Sequence, residues 1–231
     1  MNVAIIPARG GSKRIPRKNV RAFCGRPMIA WPIAAATASG LFDHILVSTE
    51  DAEIAEVARQ AGAEVSFMRP AELADDHTGT IAVIAHATRW AKEQGWPIEA
   101  ICCVYPTAPM IAPHDLAEGL RLLREGPRDF VLAATDYAAP VQRAFRQAEG
   151  GSIEMFFPEH FDSRSQDLPR ALHDAAQFYW GRPEVWLSAR TLFGPRTSVV
   201  LVPRWRVQDI DTPEDWTRAE ALFRSLGGTK P

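Results

Sequence analysis

Along most of this chain, apolar stretches of strand length alternate with amphipathic stretches of helix length, and nothing else constrains the fold as strongly. NVAIIP (2–7), AICCVY (100–105) and DFVLAAT (129–135) are continuous apolar runs. A strand covered by helices on both faces reads this way, because neither face meets water. HILVST (44–49), EVSFM (64–68), SVVLVP (198–203) and WRVQDID (205–211) read as further strands. Residues 27–39 read as a helix that stops at Gly40, with Pro32 disturbing its first turns. Residues 51–62, 78–95, 113–126 and 212–226 read as helices too, and 185–193 as a short one. The rhythm predicts an α/β fold with a mostly parallel sheet flanked by helices.

The rhythm breaks between about 137 and 182, where periodicity is poor apart from a hairpin expected around EGGS (149–152). This stretch carries Phe156, Phe157, Phe161, Phe178, Tyr179 and Trp180, an apolar load that needs cover. The expectation is one domain over 1–231 with an inserted subregion at about 137–182.

Charge and apolar content exclude several classes. Lys and Arg total 26 against 28 Asp and Glu, a net charge of −2. A general nucleic-acid binder would be basic, so no nucleic-acid partner is expected. No apolar run approaches the ~20 residues that cross a bilayer, and Met1 leads into a strand instead of a secretory signal. The expected setting is cytoplasmic, away from membranes. Cys102 and Cys103 are neighbours in a strand and point to opposite faces, so they suit neither a disulfide nor a metal clamp; with Cys24 they read as small buried residues.

Against that mild overall charge, PARGGSKRIPRKN (7–19) concentrates Arg9, Lys13, Arg14, Arg17 and Lys18 after the first strand. Open α/β sheets bind ligands at that edge. Gly10 and Gly11 let backbone N–H groups approach an anion, and the cations suit phosphate. The run is neither a dinucleotide fingerprint, lacking a third glycine before Gly25, nor a Walker loop, since Ser12 precedes Lys13. Arg14, Arg17 and Arg21 read as bystanders.

In DIDTPEDW (209–216), Asp209 and Asp211 stand two apart at an expected strand end, a pairing that suits Mg²⁺. Equally, Asp211 or Thr212 could be an N-cap, with Pro213 at the first helical position. RPAELADDH (69–77) supplies Arg69, Asp75 and Asp76 before a helix, and SRSQDLPRALHDAAQFYWG (163–181) supplies Arg164, Gln166, His173, Asp174 and Gln177. Sequence neighbours such as His173 and Asp174 rarely face one another as an acid–base pair.

Taken in order, IPARGGSKRIPRKN, VSTEDAEIAEVARQAGAEV, RPAELADD, YPTAP and DIDTPEDW resemble the cytidylyltransferases that activate nine-carbon 2-keto sugar acids as CMP-sugars. The resemblance spans nearly the whole chain. It implies a Rossmann-like nucleotide-diphospho-sugar transferase fold whose small insert forms a homodimer. It implies CTP and a nonulosonic acid as substrates, with Arg9, Lys13, Lys18 and Asp211 as the catalytic group. Ala8, Gly10, Gly11, Ser12, Asn19, Arg69, Asp76 and Thr80 would join Arg9, Lys13 and Lys18 around the nucleotide. Mg²⁺ would sit on Asp211 with Asp209 beside it. Tyr105, Thr107, Arg164, Gln166, His173 and Gln177 would meet the sugar.

Sialic-acid members usually read QPTSPLR where this chain has YPTAPM, with Tyr105 for Gln, Met110 for Leu and Ile111 at the following Arg. With LHDAAQFYWG downstream, the variant is most similar to the pseudaminic acid branch, whose products glycosylate flagellin or surface polysaccharide. Tyr105, Ala108 and Met110 would then give its sugar pocket an apolar surface. The rivals are a sialic or legionaminic acid synthetase and a non-catalytic nucleotide-binding protein; a nicotinamide dehydrogenase would need the missing glycine.

Overall fold

The computed structural model describes residues 1–75 and 77–227. Its first half runs β1 (Asn2–Pro7), β2 (Ala22–Phe23), β3 (Arg26–Pro27), α1 (Ala30–Ser39), β4 (His44–Ser48), α2 (Ala52–Gln60), α3 (Thr80–Glu93) and β5 (Ala100–Val104). Then come α4 (Pro113–Arg124), β6 (Phe130–Asp136), β7 (Phe145–Gln147), β8 (Ile153–Met155) and β9 (Leu172–Gly181). The chain closes with α5 (Pro183–Ser188), β10 (Thr197–Leu201) and α6 (Pro213–Ser225).

Six strands form one sheet in the order β10-β6-β9-β5-β1-β4. All pairings are parallel except those of β9, which runs antiparallel between β5 and β6. The strand order reverses beside β1, which pairs with both β4 and β5. A crevice opens at such a switch point, beyond the carboxyl ends of the strands.

The continuous apolar runs are what two-sided cover requires: every residue of β5 is buried. One core, with Ile33, Ile54, Leu116 and Trp180, packs α1, α2 and α4 on one face. The other packs Ile84 of α3 and Trp186 of α5 on the opposite face. Cys102 joins the first and Cys103 the second, as strand alternation demands. Helix α4 approaches the sheet closely at Gly119, where a Cβ would stand 2.6 Å from the Trp180 ring. A third cluster binds the ends of the chain together: Ile15, Phe23, Met28, Met110, Ile210, Trp216 and Phe223 pack α6 against the β2–β3 hairpin and the loop before it.

Several expected elements differ. Residues 64–68 are not a strand; only Glu64 bridges Leu46. The chain peels away there so that the Arg69 N–H can reach the Thr49 carbonyl at 2.8 Å. Residues 205–211 are not a strand either. A turn at Arg204–Arg206 follows Pro203, and Ile210 is drawn into the third cluster. The helix expected over 27–39 starts only at Ala30, because Cys24 and Gly25, at φ 45° and 90°, form the tight turn of a β2–β3 hairpin that the sequence did not announce. The helix expected over 185–193 ends at Ser188.

The inserted region is shorter than expected. Its hairpin is present as β7 and β8, but residues 172–181 belong to the sheet as β9. A register shift along β9, with Ala176 at φ 50°, breaks the two-residue period there. Phe178, Tyr179 and Trp180 are therefore core residues, 1% exposed or less, and supply no surface patch. The projecting arm still exposes Phe145, Ile153, Phe156, Phe157 and Phe161. Among the described residues no helix is long and apolar enough to cross a membrane.

Candidate active site

The loop between β1 and the β2–β3 hairpin borders a cleft of about 460 Å³. Arg9, Ser12, Lys13, Arg14, Lys18 and Asn19 line it from the loop, with Arg69, Thr78 and Thr80 before and at the start of α3. Tyr105 and Thr107 lie beyond β5, and Asp211 lies before α6. A stretch with this many cations would splay apart unless tied down, and acidic residues after β4 tie it. Arg17, at φ 56°, donates to both Asp51 carboxylate oxygens at 2.6 and 2.9 Å and also to Glu53. The Arg17 hydrogen bonds hold the Asp51 carboxyl down to about 2. The Gly10 N–H donates to Glu50 Oε1 at 2.6 Å, while Glu50 Oε2 accepts from Arg69 at 3.0 Å.

Gly10 accordingly has other work than expected. The Gly10 N–H is taken by Glu50, and a Cβ on Gly10 would stand 2.6 Å from Asp51 Oδ2, so glycine is what lets the loop lie against α2. Gly11 is exposed. Ala8 is buried beneath the loop, its N–H on the Ser48 carbonyl, outside the lining of the cleft. Asn19 Nδ2 donates to the Arg9 carbonyl at 2.9 Å, and its Oδ1 is a buried acceptor with no partner among the described residues.

The opposite wall comes from the start of α6. Lys18 Nζ donates to the Ile210 carbonyl at 2.6 Å and stands 3.6 Å from Asp211 Oδ1. Arg14 pairs with Asp211 Oδ2 at 2.8 Å, so it is a cleft residue and no bystander. The N-cap is Thr212: it accepts from the Asp215 N–H, and Asp215 Oδ2 accepts from the Thr212 N–H. That leaves the Asp211 carboxylate free of capping and turned to the cations. Asp209 lies outside the cleft lining; desolvation, and then the Asp211 charge, push its carboxyl above the usual range. Among the described residues no group of three His, Cys, Asp or Glu side chains could hold a metal alone.

The residues expected at the sugar divide. Tyr105 and Thr107 line the cleft. Gln177 is buried beside it, its Nε2 donating to the Arg206 carbonyl at 2.7 Å. His173 lines a different cavity, of about 320 Å³, and its Nδ1 lies 2.8 Å from the Asp174 carbonyl, so it has no acid–base geometry with the Asp174 carboxylate. Arg164 and Gln166 are exposed on the arm, outside the cleft. Ala108 and Met110 are buried in two different cores and give the cleft no apolar wall. Asp76 lies outside the described residues. Its neighbour Asp75 accepts from the N–H groups of His77 and Thr78, which shapes the rim, and the Asp75 carbonyl accepts from Arg9 at 3.2 Å. Glu50 and Thr78 were not anticipated; the place of Glu50, just after an expected strand on the same sheet edge, was the available signal.

The family model described as cytidylyltransferase matches residues 3–150. A pseudaminic acid cytidylyltransferase of Campylobacter jejuni is 42% identical over 223 residues, 96% of each chain. A CMP-N,N'-diacetyllegionaminic acid synthase of Legionella pneumophila is 28% identical over 96% of this chain and 95% of that one. The solved structure of CMP:2-keto-3-deoxy-manno-octonic acid synthetase with CTP shares the fold at a TM-score of 0.71, covering 97% of this chain and 99% of that one at 18% identity.

Proposed function

This chain belongs to the cytidylyltransferase family, and on that premise we propose that it joins CTP to pseudaminic acid, giving CMP-pseudaminic acid and pyrophosphate. The carrying observation is the cleft: four cations from one strand-end loop, Arg9, Lys13, Arg14 and Lys18, face a carboxylate freed from capping on the opposite wall. The 42% identity to a pseudaminic acid enzyme, against 28% to a legionaminic acid one, favours the sugar. A non-catalytic binder would have no use for an uncapped Asp211 beside Lys18.

In the proposed reaction the anomeric 2-hydroxyl attacks the α-phosphorus in line, loses its proton, and pyrophosphate leaves from the opposite side. Catalysis of this kind rests on positioning and charge neutralisation. Arg9, Lys13 and Lys18 offset phosphate charge, and Arg14 adds a fourth cation. The buried, unpartnered Oδ1 of Asn19 suits a donor on the nucleotide. The donor set fits Mg²⁺, which takes one or two carboxylates and completes its shell with water and phosphate oxygens. Burial, and after it the charge of Asp211, raises the Asp209 carboxyl. Asp211, with Asp209 beside it, would hold the ion, which would supply charge stabilisation at the phosphates.

The exposed aromatic arm supports a homodimer, with Phe156, Phe157 and Phe161 covered by the second copy. Three free cysteines suit the reducing cytoplasm, and a CMP-sugar made there would feed flagellin or surface polysaccharide glycosylation. Pyrophosphate release from CTP with pseudaminic, legionaminic and N-acetylneuraminic acids, with and without Mg²⁺, tests the reading; absence of release with pseudaminic acid overturns it.

A further inference from the structure

Glu50, two residues beyond β4, puts a carboxylate beside a cleft rich in cations, where a negative charge works against an anionic ligand. Both of its oxygens are engaged: Oε1 accepts the Gly10 N–H at 2.6 Å, and Oε2 accepts from Arg69 Nη2 at 3.0 Å. The Arg69 N–H also bonds the Thr49 carbonyl at 2.8 Å, so backbone and side chain both tie Arg69 to the segment after β4. The Gly10 N–H belongs to the same peptide group as the Arg9 carbonyl, and that carbonyl accepts from Asn19 Nδ2 at 2.9 Å. One peptide plane is thus held at both edges, and the Arg9 side chain leaves the backbone beside it. Arg9 and Arg69 both line the cleft; Glu50 does not.

Two like charges share a wall only where something holds them together. Burial draws the Arg69 guanidinium below its usual range and the Arg9 charge acts in the same direction, while Glu50 opposes both. A carboxylate suits this place because each of its oxygens accepts and both partners donate. We propose that Glu50 is a positioning residue: one oxygen fixes the Arg9–Gly10 peptide, the other fixes Arg69, and together they set the spacing of two cleft cations toward the CTP anion. The inference rests on the CTP reading given above. Glutamine at this position could serve only one partner, because its amide turns a donor onto the other donor. Charge and position therefore predict opposite signs. A mere nearby negative charge, once removed, would let an anionic ligand bind more tightly. A support for the wall, once removed, would weaken it.

The experiment titrates CTP calorimetrically, without sugar, into the parent protein, Glu50→Gln, Glu50→Asp, Arg69→Met and the double variant of Glu50→Gln with Arg69→Met. Glu50→Gln is expected to weaken CTP about tenfold, the scale of one hydrogen bond to a charged group. Glu50→Asp keeps the charge but draws both oxygens back by a methylene, and should weaken CTP as well. In the Arg69→Met background only the Gly10 donor remains and the glutamine carbonyl can meet it, so Glu50→Gln should cost at most about twofold more. A role confined to folding would lower the melting temperature of the Glu50 variants and leave the CTP affinity of the folded protein unchanged. That outcome, tighter binding by Glu50→Gln, or additive losses in the double variant overturns the proposal. Where Glu50→Gln fails to fold, Glu50→Asp decides alone, and unchanged affinity in it overturns the proposal. The Gly10 amide of the ligand-free parent should also exchange with solvent more slowly than that of Gly11; equal rates overturn the proposal too. None of these readouts needs turnover, so a parent protein that binds CTP but releases no pyrophosphate would remove the proposed reaction and still decide the role of Glu50.

Discussion

Lys18 Nζ donates to the Ile210 carbonyl at 2.6 Å across 192 residues of sequence, and the same ammonium stands 3.6 Å from Asp211 Oδ1. One cation thus joins the loop after the first strand to the segment before the last helix. At that junction charge and architecture meet, and the expected effects of substitution divide along the same line.

Asp211→Asn should lose Mg²⁺-dependent turnover by about 10²-fold or more, the scale of losing electrostatic stabilisation of a transition state. Because Thr212 and not Asp211 caps α6, the melting temperature should be nearly unchanged. Rates titrated against Mg²⁺ check this, and a fully active variant removes Asp211 from the metal assignment.

Lys18→Ala should lower kcat by about 10²-fold or more. Arg17→Ala should act differently, since Arg17 holds the loop to Asp51 and Glu53: KM for CTP should rise and stability should fall more than in Lys18→Ala. Steady-state kinetics with thermal melts separates the two, and the reverse pattern would move the phosphates to the Arg17 side of the loop.

The Arg17–Asp51 pair predicts a limb in the acid stability profile. The folded carboxyl is held near 2 against an ordinary 3.8, so its contribution is fully present above about pH 4 to 5 and fades as pH falls toward 2. With Arg17 partly exposed, solvent screening leaves roughly 1 kcal/mol. Urea unfolding at pH 3 and pH 7 should show a shallower loss in Asp51→Asn than in the parent protein; equal slopes would contradict the prediction.

Gly10→Ala should raise KM for CTP about tenfold while the core stays folded. Its Cβ would meet an Asp51 carboxylate that Arg17 holds in place, so the loop must give way. An unchanged KM would mean that the loop relaxes freely at this point.

Sugar choice is expected to favour pseudaminic acid strongly over N-acetylneuraminic acid. An apolar pocket rejects an added hydroxyl only about 10²-fold, and Ala108 and Met110 do not even line the cleft, so ring stereochemistry must do most of the discrimination. Tyr105→Gln should therefore lower turnover of the first sugar without restoring the second. Comparable kcat/KM for both sugars in the parent protein would overturn the preference.

What the sequence disclosed follows from how local each signal is. Continuous apolarity marks β1, β5 and β6 because both faces of those strands are covered. Strand β9 escaped notice because the bulge at Ala176 interrupts its period and places Asp174 and Gln177 among aromatic residues. The basic loop was legible as a ligand site from its charge and its place after β1. The use of Gly10 was not: its N–H is taken by Glu50, a partner forty residues away that only the fold brings near. Arg14 looked idle for the same reason, since its partner Asp211 arrives with α6.

The cluster of Ile15, Phe23, Met28, Met110, Ile210, Trp216 and Phe223 carries a consequence for how the protein is made. Every basic residue of the loop is made before any of Ile210, Trp216 and Phe223, which hold the loop's far end, and Lys18 precedes Ile210 by 192 residues. Until α6 is released, Lys18 has neither the Ile210 carbonyl nor Asp211 to meet. The nascent chain thus holds its cations without the opposing wall, and the cleft closes only once the segment from Ile210 to Phe223 has been made.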